Sequence, residues 1–359
     1  MSAKAKVLVA MSGGVDSSVA AALLVAEGYE VLGLTLRLQP CDDDGNRTCC
    51  GAQAVALAGR VAEQLGFAHQ VIDGRERFEE QVLRPAWQEY AAGRTPNPCV
   101  VCNRTVKFQL LLEQARALGA EHIATGHHAR ISESTLQRGV DRNKDQSYFL
   151  FSLTKDQLAH CLFPVGEFTK DRVRELARQF NLPNAERPGS QDACLESLDT
   201  GFAEALRLRF GAVAEPGEVV DTQGRVLGQH QGIHQFTIGQ RRGLKIALGH
   251  RAYVVALDPG QKRVIMAKNE EELFAQEMMV AENRWLGKPP TEAQLMVEVQ
   301  VRYRHRPVPA RIEIGTDDLV RVRFDQPQRA ICPGQAAVFY RGDQVLGGGW
   351  IAASEKELT

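Results

Sequence analysis

Three separated groups of residues in this chain have types and spacings suited to chemistry. The first is Ser12-Gly13-Gly14-Val15-Asp16-Ser17-Ser18, set between the apolar runs Val7–Ala10 and Val19–Leu24. Glycine lets a backbone take positive φ and approach a ligand closely. A turn that opens a helix leaves unpaired N–H groups, and the partial positive charge there attracts phosphate. Ser12, Ser17 and Ser18 add hydroxyl groups. No Gly-Lys-Ser/Thr follows, so this is not a Walker loop. A carboxylate at Asp16 repels phosphate unless it holds a cation, and Mg²⁺ there would neutralise a leaving pyrophosphate.

The second group is Thr95-Pro96-Asn97-Pro98-Cys99-Val100-Val101-Cys102-Asn103. A helix expected over 103–118 puts Cys102 at its N-terminus with Arg104 and Lys107 nearby, where dipole and cations favour the thiolate. The third is Cys194, a lone cysteine after the polar run Pro188–Ala193. Inert buried thiols and half of a zinc site are competing readings. No second Cys-x-x-Cys is present, so no metal site of that kind is expected. Cys41, Cys161 and Cys332 read as structural, and Cys49-Cys50 as ordinary packing. Gly126-His127-His128 ends a strand and reads as a nucleotide or substrate contact. Lys144-Asp145-Gln146, taken alone, reads as a solvated loop. Arg302-Tyr303-Arg304-His305-Arg306 is either the charged face of an exposed strand or a set of phosphate contacts with one stacking aromatic.

Elements must hold these groups in place. Strands are expected over 29–38, 68–72 and 122–125, and helices over 52–65, 76–92 and 103–118. Such alternation predicts an α/β fold, a doubly wound parallel sheet with helices on both faces. Ligands there sit beyond the C-terminal strand ends, where the Ser12 loop and Gly126-His127 both fall. Past about residue 200 glycines punctuate short β-like runs. Val297, Val299 and Val301 alternate with polar residues, as do Val320, Val322 and Phe324, and Gly342-Asp343 marks a hairpin. The C-terminal part is thus expected to be a small antiparallel barrel or sandwich.

At 359 residues and 44% hydrophobic the chain can bury a large core in two or three domains. A net charge of -1 advertises no global field for nucleic acid, so any RNA surface must be local. No signal peptide or membrane span is visible, which reads as cytoplasmic, where the eight cysteines are mostly thiols.

The Ser12 loop looks like the pyrophosphatase loop (PP-loop) of ATP-dependent enzymes that release pyrophosphate. With Ala124-Thr125-Gly126-His127, Lys144–Leu150, Ser190-Gln191-Asp192-Ala193-Cys194, Thr237-Ile238-Gly239-Gln240, Arg302-Tyr303-Arg304 and Pro333–Tyr340, the chain resembles the tRNA-specific 2-thiouridylases over nearly its whole length. The resemblance implies an adenylating PP-loop domain over 1–200, a central β-rich domain over 201–274 and a tRNA-contacting β-barrel over 275–359. It implies ATP and Mg²⁺, and as partners the anticodon stem-loop of tRNA and a sulfur donor such as a cysteine desulfurase or sulfur-relay protein. The wobble uridine would be adenylated at its C2 carbonyl and AMP then displaced by a persulfide sulfur.

By motif, Cys194 corresponds to the persulfide carrier and Cys102 to the catalytic partner that ends in a disulfide with it. Ala10, Met11, Ser12, Gly13, Gly14, Val15, Asp16, Ser17, Leu36 and Gly126 correspond to nucleotide contacts. Asn97, Pro98 and Cys99 correspond to the target-base region, and His127, Lys144, Asp145, Gln146, Arg302, Tyr303 and Gln335 to tRNA contacts. Two positions depart from the commoner pattern: Cys99 replaces an Asp, and Leu36 a Met. Cys99 opens an alternative in which Cys99, Cys102 and Cys194 hold three irons of a [4Fe–4S] cluster. A tRNA-binding module without catalysis and an amide-forming adenylating synthetase are the readings from other classes.

Overall fold

The structure, a computed structural model, describes residues 4–39, 51–188, 201–244, 251–315 and 318–352. Cys41, Cys49, Cys50 and Cys194 lie outside the described residues. The chain separates into two units, one of 1–82, 99–199 and 343–345, the other of 83–98, 200–342 and 346–359.

In the first unit, Val7, Leu8 and Val9 are fully buried, as a strand covered on both faces must be. They lie in β1 (Lys4–Ala10), the middle strand of a parallel sheet. Its neighbours are β2 (Tyr29–Arg37), β3 (His69–Asp73) and β4 (His122–Ala124). β5 (Ala129–Ser132) and β6 (Thr135–Arg138) then form an antiparallel hairpin, and β7 (Cys161–Leu162) returns to the sheet. The order is β3-β2-β1-β4-β7, all parallel. Connections therefore leave β1 and β4 in opposite directions, and a crevice opens at their C-terminal ends. Helix α1 (Val15–Ala26) starts there, and α2 (Ala52–Leu65) follows β2. Val19, Ala20, Ala21 and Ala22 of α1 are buried in one cluster with Val173, Leu176 and Ala177 of the helix Lys170–Gln179. Small side chains let α1 pack closely on several sides.

Two helices differ from expectation. The helix predicted over 103–118 begins earlier: Pro98–Cys102 is helical, Asn103–Lys107 is a π turn, and Phe108–Ala117 continues. Proline at the first helical position loses no hydrogen bond and has φ already set. Cys102 thus closes a first turn instead of opening a helix, and Cys99 takes the N-terminal place. The helix expected over 76–92 is split by a π turn at Glu79–Leu83. Pro85 follows directly, and the wider turn accommodates its ring and missing N–H.

The second unit carries β8 (Gly217–Asp221), β9 (Val226–His230), β10 (Tyr253–Asp258) and β11 (Arg263–Ala267) in the order β10-β11-β8-β9, around Val219, Phe236, Val254, Val264 and Met266. Six further strands are β12 (Phe274–Trp285), β13 (Gln294–Gln300), β14 (Val308–Ile314), β15 (Val320–Arg329), β16 (Ala336–Arg341) and β17 (Gln344–Ile351). They run β12-β15-β14-β13-β16-β17, and pairing of β12 with β17 closes an antiparallel barrel. Val320, Val322 and Phe324 point into it, with Arg321 and Arg323 exposed between them, as the period of two requires. The basic cluster lies elsewhere than on a strand: β13 ends at Gln300, and Arg302–Arg304 form a turn closed by His305 N–H to the Arg302 carbonyl at 3.1 Å, with Arg304 at φ +64°. No helix among the described residues is long and apolar enough to cross a membrane.

Phe339 is fully buried in the barrel, its ring 5.6 Å from that of Trp285. Phe339→Ala is expected to destabilise the barrel by about 3–5 kcal/mol, measured by urea unfolding followed through tryptophan fluorescence.

Candidate active site

The loop after β1 is shaped by its own backbone and by β2. Met11 N–H donates to the Leu34 carbonyl at 2.7 Å, and the buried Thr35 hydroxyl donates to the Met11 carbonyl at 2.6 Å. That hydroxyl has only one proton, so His69 Nε2, 2.8 Å away, must be the donor to Thr35. His69 thus carries a proton on Nε2, and burial pulls its pKa below the ordinary value. Gly13 has φ +69°, and a Cβ there would lie 2.3 Å from the Ala54 carbonyl oxygen of α2. No other residue fits. The hydroxyls of Ser17 and Ser18 both donate to the Gly14 carbonyl at 3.0 Å, and Ser17 Oγ accepts from Ser12 N–H at 3.2 Å. Their protons therefore fold the loop, and only Ser12 among the three serines is exposed.

Asp16 lies in the first turn of α1, where the helix end favours its charge. Lys170 Nζ lies 2.5 Å from Asp16 Oδ1, and His128 Nε2 lies 3.4 Å from the same oxygen. Burial, the largest single influence, raises the Asp16 pKa; the His128 and Lys170 contacts together outweigh it and hold the carboxyl below its usual range. Gly126 at the end of β4 makes the approach possible, since a Cβ there would sit 2.5 Å from the Ser17 nitrogen. From the other side Asn184 Nδ2 donates to the Gly13 carbonyl at 3.1 Å and to Ser18 Oγ at 2.9 Å, and Arg187 reaches the same carbonyl at 3.2 Å.

Lys170 and Asn184 are absent from the sequence-based set, and His128 entered it only as part of the strand end Gly126-His127-His128. Lys170 left one signal. It follows the N-cap Thr169, so it is a cation at the positive end of a helix, and it is 9% exposed. A lysine placed so needs an anion, and Asp16 supplies it. Asn184 gives no periodic signal.

His127 packs against Phe108 and Phe163, with ring centroids 5.7 and 6.3 Å apart, and its Nδ1 meets Thr125 Oγ1 at 2.8 Å. Burial first, then the charges of Lys107 and His128, push its pKa down to about 3, so it is neutral near pH 7. Gln146 grips the next residue twice: His128 N–H donates to Gln146 Oε1 at 2.9 Å, and Gln146 N–H donates to the His128 carbonyl at 2.9 Å. Asp145 accepts from Gly139 N–H, Ser147 N–H and Ser147 Oγ at 2.9–3.1 Å, so its carboxylate organises its own turn. Leu36 is half-buried near the end of β2. Cys102 is buried and Cys99 half-buried, one helical turn apart. In the second unit, Gln335 Nε2 donates to the Thr95 and Pro96 carbonyls at 3.0 Å, and Thr95 N–H donates to the Pro333 carbonyl at 2.8 Å. Gln335 thereby fixes the segment leading into Asn97 and Pro98. Arg302 and Tyr303 occupy the turn after β13. Among the described residues no group of three His, Cys, Asp or Glu is placed to hold a metal ion, and Cys194 lies outside them.

Within the first unit the arrangement is a bare helix N-terminus, a carboxylate held by a lysine, and backbone N–H groups at a sheet crevice, all suited to a nucleotide phosphate. Family profiles described as a tRNA methyl transferase HUP domain, a tRNA methyl transferase PRC-barrel domain and an aminomethyltransferase beta-barrel domain match residues 5–197, 209–268 and 275–351. The chain is 47% identical over 363 residues to the tRNA-specific 2-thiouridylase MnmA of Carboxydothermus hydrogenoformans, covering 98% of each chain. It is 45% identical over 366 residues to the protein of the same name from Geobacter metallireducens, covering 99% of each.

A depressed histidine pKa makes the unfolded chain bind more protons than the folded one between about 3 and the ordinary 6.5. Stability must therefore fall as pH drops through that window. His127→Gln is expected to flatten the fall, read as a smaller difference in urea midpoint between pH 7 and pH 4 than in the parent protein.

Proposed function

Because the chain belongs to the tRNA-specific 2-thiouridylase family, sulfurtransferases that act on tRNA, we propose that it makes 2-thiouridine at the wobble position through an adenylated intermediate and a persulfide. The single observation that carries the ATP half is the Asp16–Lys170–His128 cluster at the open end of α1. The uracil O2 attacks the α-phosphorus of ATP, the bond to the β-phosphate oxygen breaks, and the N3 proton is lost. Pyrophosphate leaves with two phosphates' worth of charge. Backbone N–H groups of the loop and the Lys170 ammonium face that charge. Both contacts to Asp16 fall on Oδ1, and one carboxylate oxygen joined by phosphate oxygens and water is a common Mg²⁺ environment. Bound Mg²⁺ would screen the charge on the leaving group.

In the second half the terminal sulfur of a Cys194 persulfide attacks C2, and the C2–O bond to AMP breaks. The Cys102 thiolate then attacks the Cys194 sulfur. The electron pair of the broken S–S bond goes to the uridine sulfur, N3 regains a proton, and a Cys102–Cys194 disulfide remains for a cellular thiol reductant to open. The base must leave its stack for C2 to be reached. Asn97, Pro98 and Cys99 would meet the target base. Ala10–Ser17, Leu36 and Gly126 would meet the nucleotide, and His127, Lys144–Gln146, Arg302, Tyr303 and Gln335 the tRNA. His127, being neutral, would serve RNA as a hydrogen-bonding or stacking ring, not a phosphate cation. The division at 200 and 274, a cytoplasmic location, and a desulfurase or relay protein as sulfur source belong to the same proposal. Cys99 and Cys102, three residues apart on one helical turn, keep a second reading in view, with Cys194 as third ligand of a [4Fe–4S] cluster. Iron and sulfide analysis after anaerobic purification decides between them.

Asp16→Asn and Lys170→Met are each expected to lower tRNA-dependent pyrophosphate release by about 100-fold or more, with tRNA affinity within about threefold of the parent. Normal release in either variant would remove the assignment. With a labelled persulfide donor, Cys194→Ser is expected to load no sulfur, and Cys102→Ser to load it without delivery to tRNA. Equal loss of loading in both would point to the cluster.

A further inference from the structure

Both partners of Asp16 are anchored by one short segment, residues 139–147. On one side, Gln146 holds the N–H and the carbonyl of His128 at 2.9 Å each, and the His128 ring, 3% exposed, reaches Asp16. On the other, Asp141 Oδ2 accepts from the backbone N–H of Lys170 at 3.0 Å, at the start of the helix that carries the Asp16-binding ammonium. The segment is internally tied. Asp145 accepts from Gly139 and Ser147, Asp141 Oδ1 accepts from Asn143 N–H at 3.0 Å, and Val140 N–H donates to the Gly166 carbonyl at 3.0 Å. Gly139 also lies against His128, where a Cβ would come within 2.7 Å of its carbonyl oxygen. A shift of this segment must therefore move His128, Lys170 or both. Neither nitrogen of the His128 ring makes a hydrogen bond of good geometry among the described residues. A buried imidazole so placed costs desolvation unless its ring serves Asp16.

We propose that residues 139–147 couple tRNA contact to the ATP site: tRNA settling on Lys144–Gln146 sets the positions of His128 and Lys170 on Asp16, so the nucleotide loop reaches its reactive geometry only with RNA in place. This rests on the reading of Lys144–Gln146 as a tRNA contact. His128 and Asp141 are positioning residues; they act through Asp16 and Lys170.

The test uses His128→Leu, which removes the ring, His128→Gln, which keeps a side-chain N–H, and Asp141→Ala, which releases the Lys170 backbone N–H and the tie to Asn143. Amide hydrogen exchange is followed in the full chain with unmodified tRNA and no ATP. In the parent protein tRNA is expected to slow exchange both at 139–147 and at 11–18. In His128→Leu and Asp141→Ala it is expected to slow exchange at 139–147 only, and His128→Gln is expected to recover the response at 11–18. With ATP added, His128→Leu and Asp141→Ala are expected to lower the maximal rate of tRNA-dependent pyrophosphate release about tenfold, with tRNA Kd within about threefold, and His128→Gln to restore most of it. The proposal is overturned by a parent-like response at 11–18 in either disabling variant, by His128→Gln behaving as His128→Leu does, or by a loss residing wholly in tRNA Kd. Should His128→Leu fail to fold, Asp141→Ala and His128→Gln decide alone. Parent protein that shows the exchange response but releases no pyrophosphate would sink the adenylation reading and leave the coupling standing.

Discussion

In the proposed reaction the Asp16 carboxylate has to remain charged, partly buried, at the mouth of a helix whose end stays open for phosphate. A lone carboxylate so placed would be driven towards its neutral form by desolvation. Lys170 and His128 prevent this from one oxygen, and their combined effect exceeds that of burial. Much of the first unit follows from meeting this requirement. The chain carries a glycine, Gly126, two residues beyond β4, because a Cβ there would lie 2.5 Å from the Ser17 nitrogen. The helix Lys170–Gln179 packs on α1 because its first residue must reach α1's first turn. The Ser17 and Ser18 hydroxyl protons are turned inward onto the Gly14 carbonyl.

Breaking such a pair from one side is costlier than never having made it, because the surviving charge stays buried without a counter-ion. Stability and chemistry thus draw on the same contact. The ammonium that keeps Asp16 ionised is also the cation nearest a departing pyrophosphate in the proposed reaction, and moving it for one purpose moves it for the other. In the proposed coupling its anchoring through Asp141 therefore bears on function as well as on packing.

The second unit meets a different constraint. Six strands closed on themselves leave no exposed edge, and the barrel interior is filled by the alternating apolar residues of each strand. What such a barrel can offer a partner is confined to outward side chains and turns. Arg302 and Tyr303 stand in a turn, where the positive φ of Arg304 redirects the chain away from the strand geometry. In the same unit Gln335, sequence-distant from Thr95 and Pro96, fixes their carbonyls.

The sequence alone determined the parallel sheet, the glycine loop opening α1, the β-rich second half and the family, because these depend on local period, glycine placement and contiguous motifs. Helix α2 matches its expected limits, and Val320, Val322 and Phe324 face inward as their alternation requires. The Cys102 helix starts earlier than its sequence suggests because Pro98 reads as a breaker unless it occupies the first helical position, and the π turn at Asn103 has no sequence period of its own. Tertiary structure alone decided which side chains meet Asp16. Lys170 is 154 residues away along the chain, and a pairing over that distance leaves no trace in periodicity or spacing. It is fixed only when α1 and the helix Lys170–Gln179 pack, since the energy that selects the pair comes from burying both charges together.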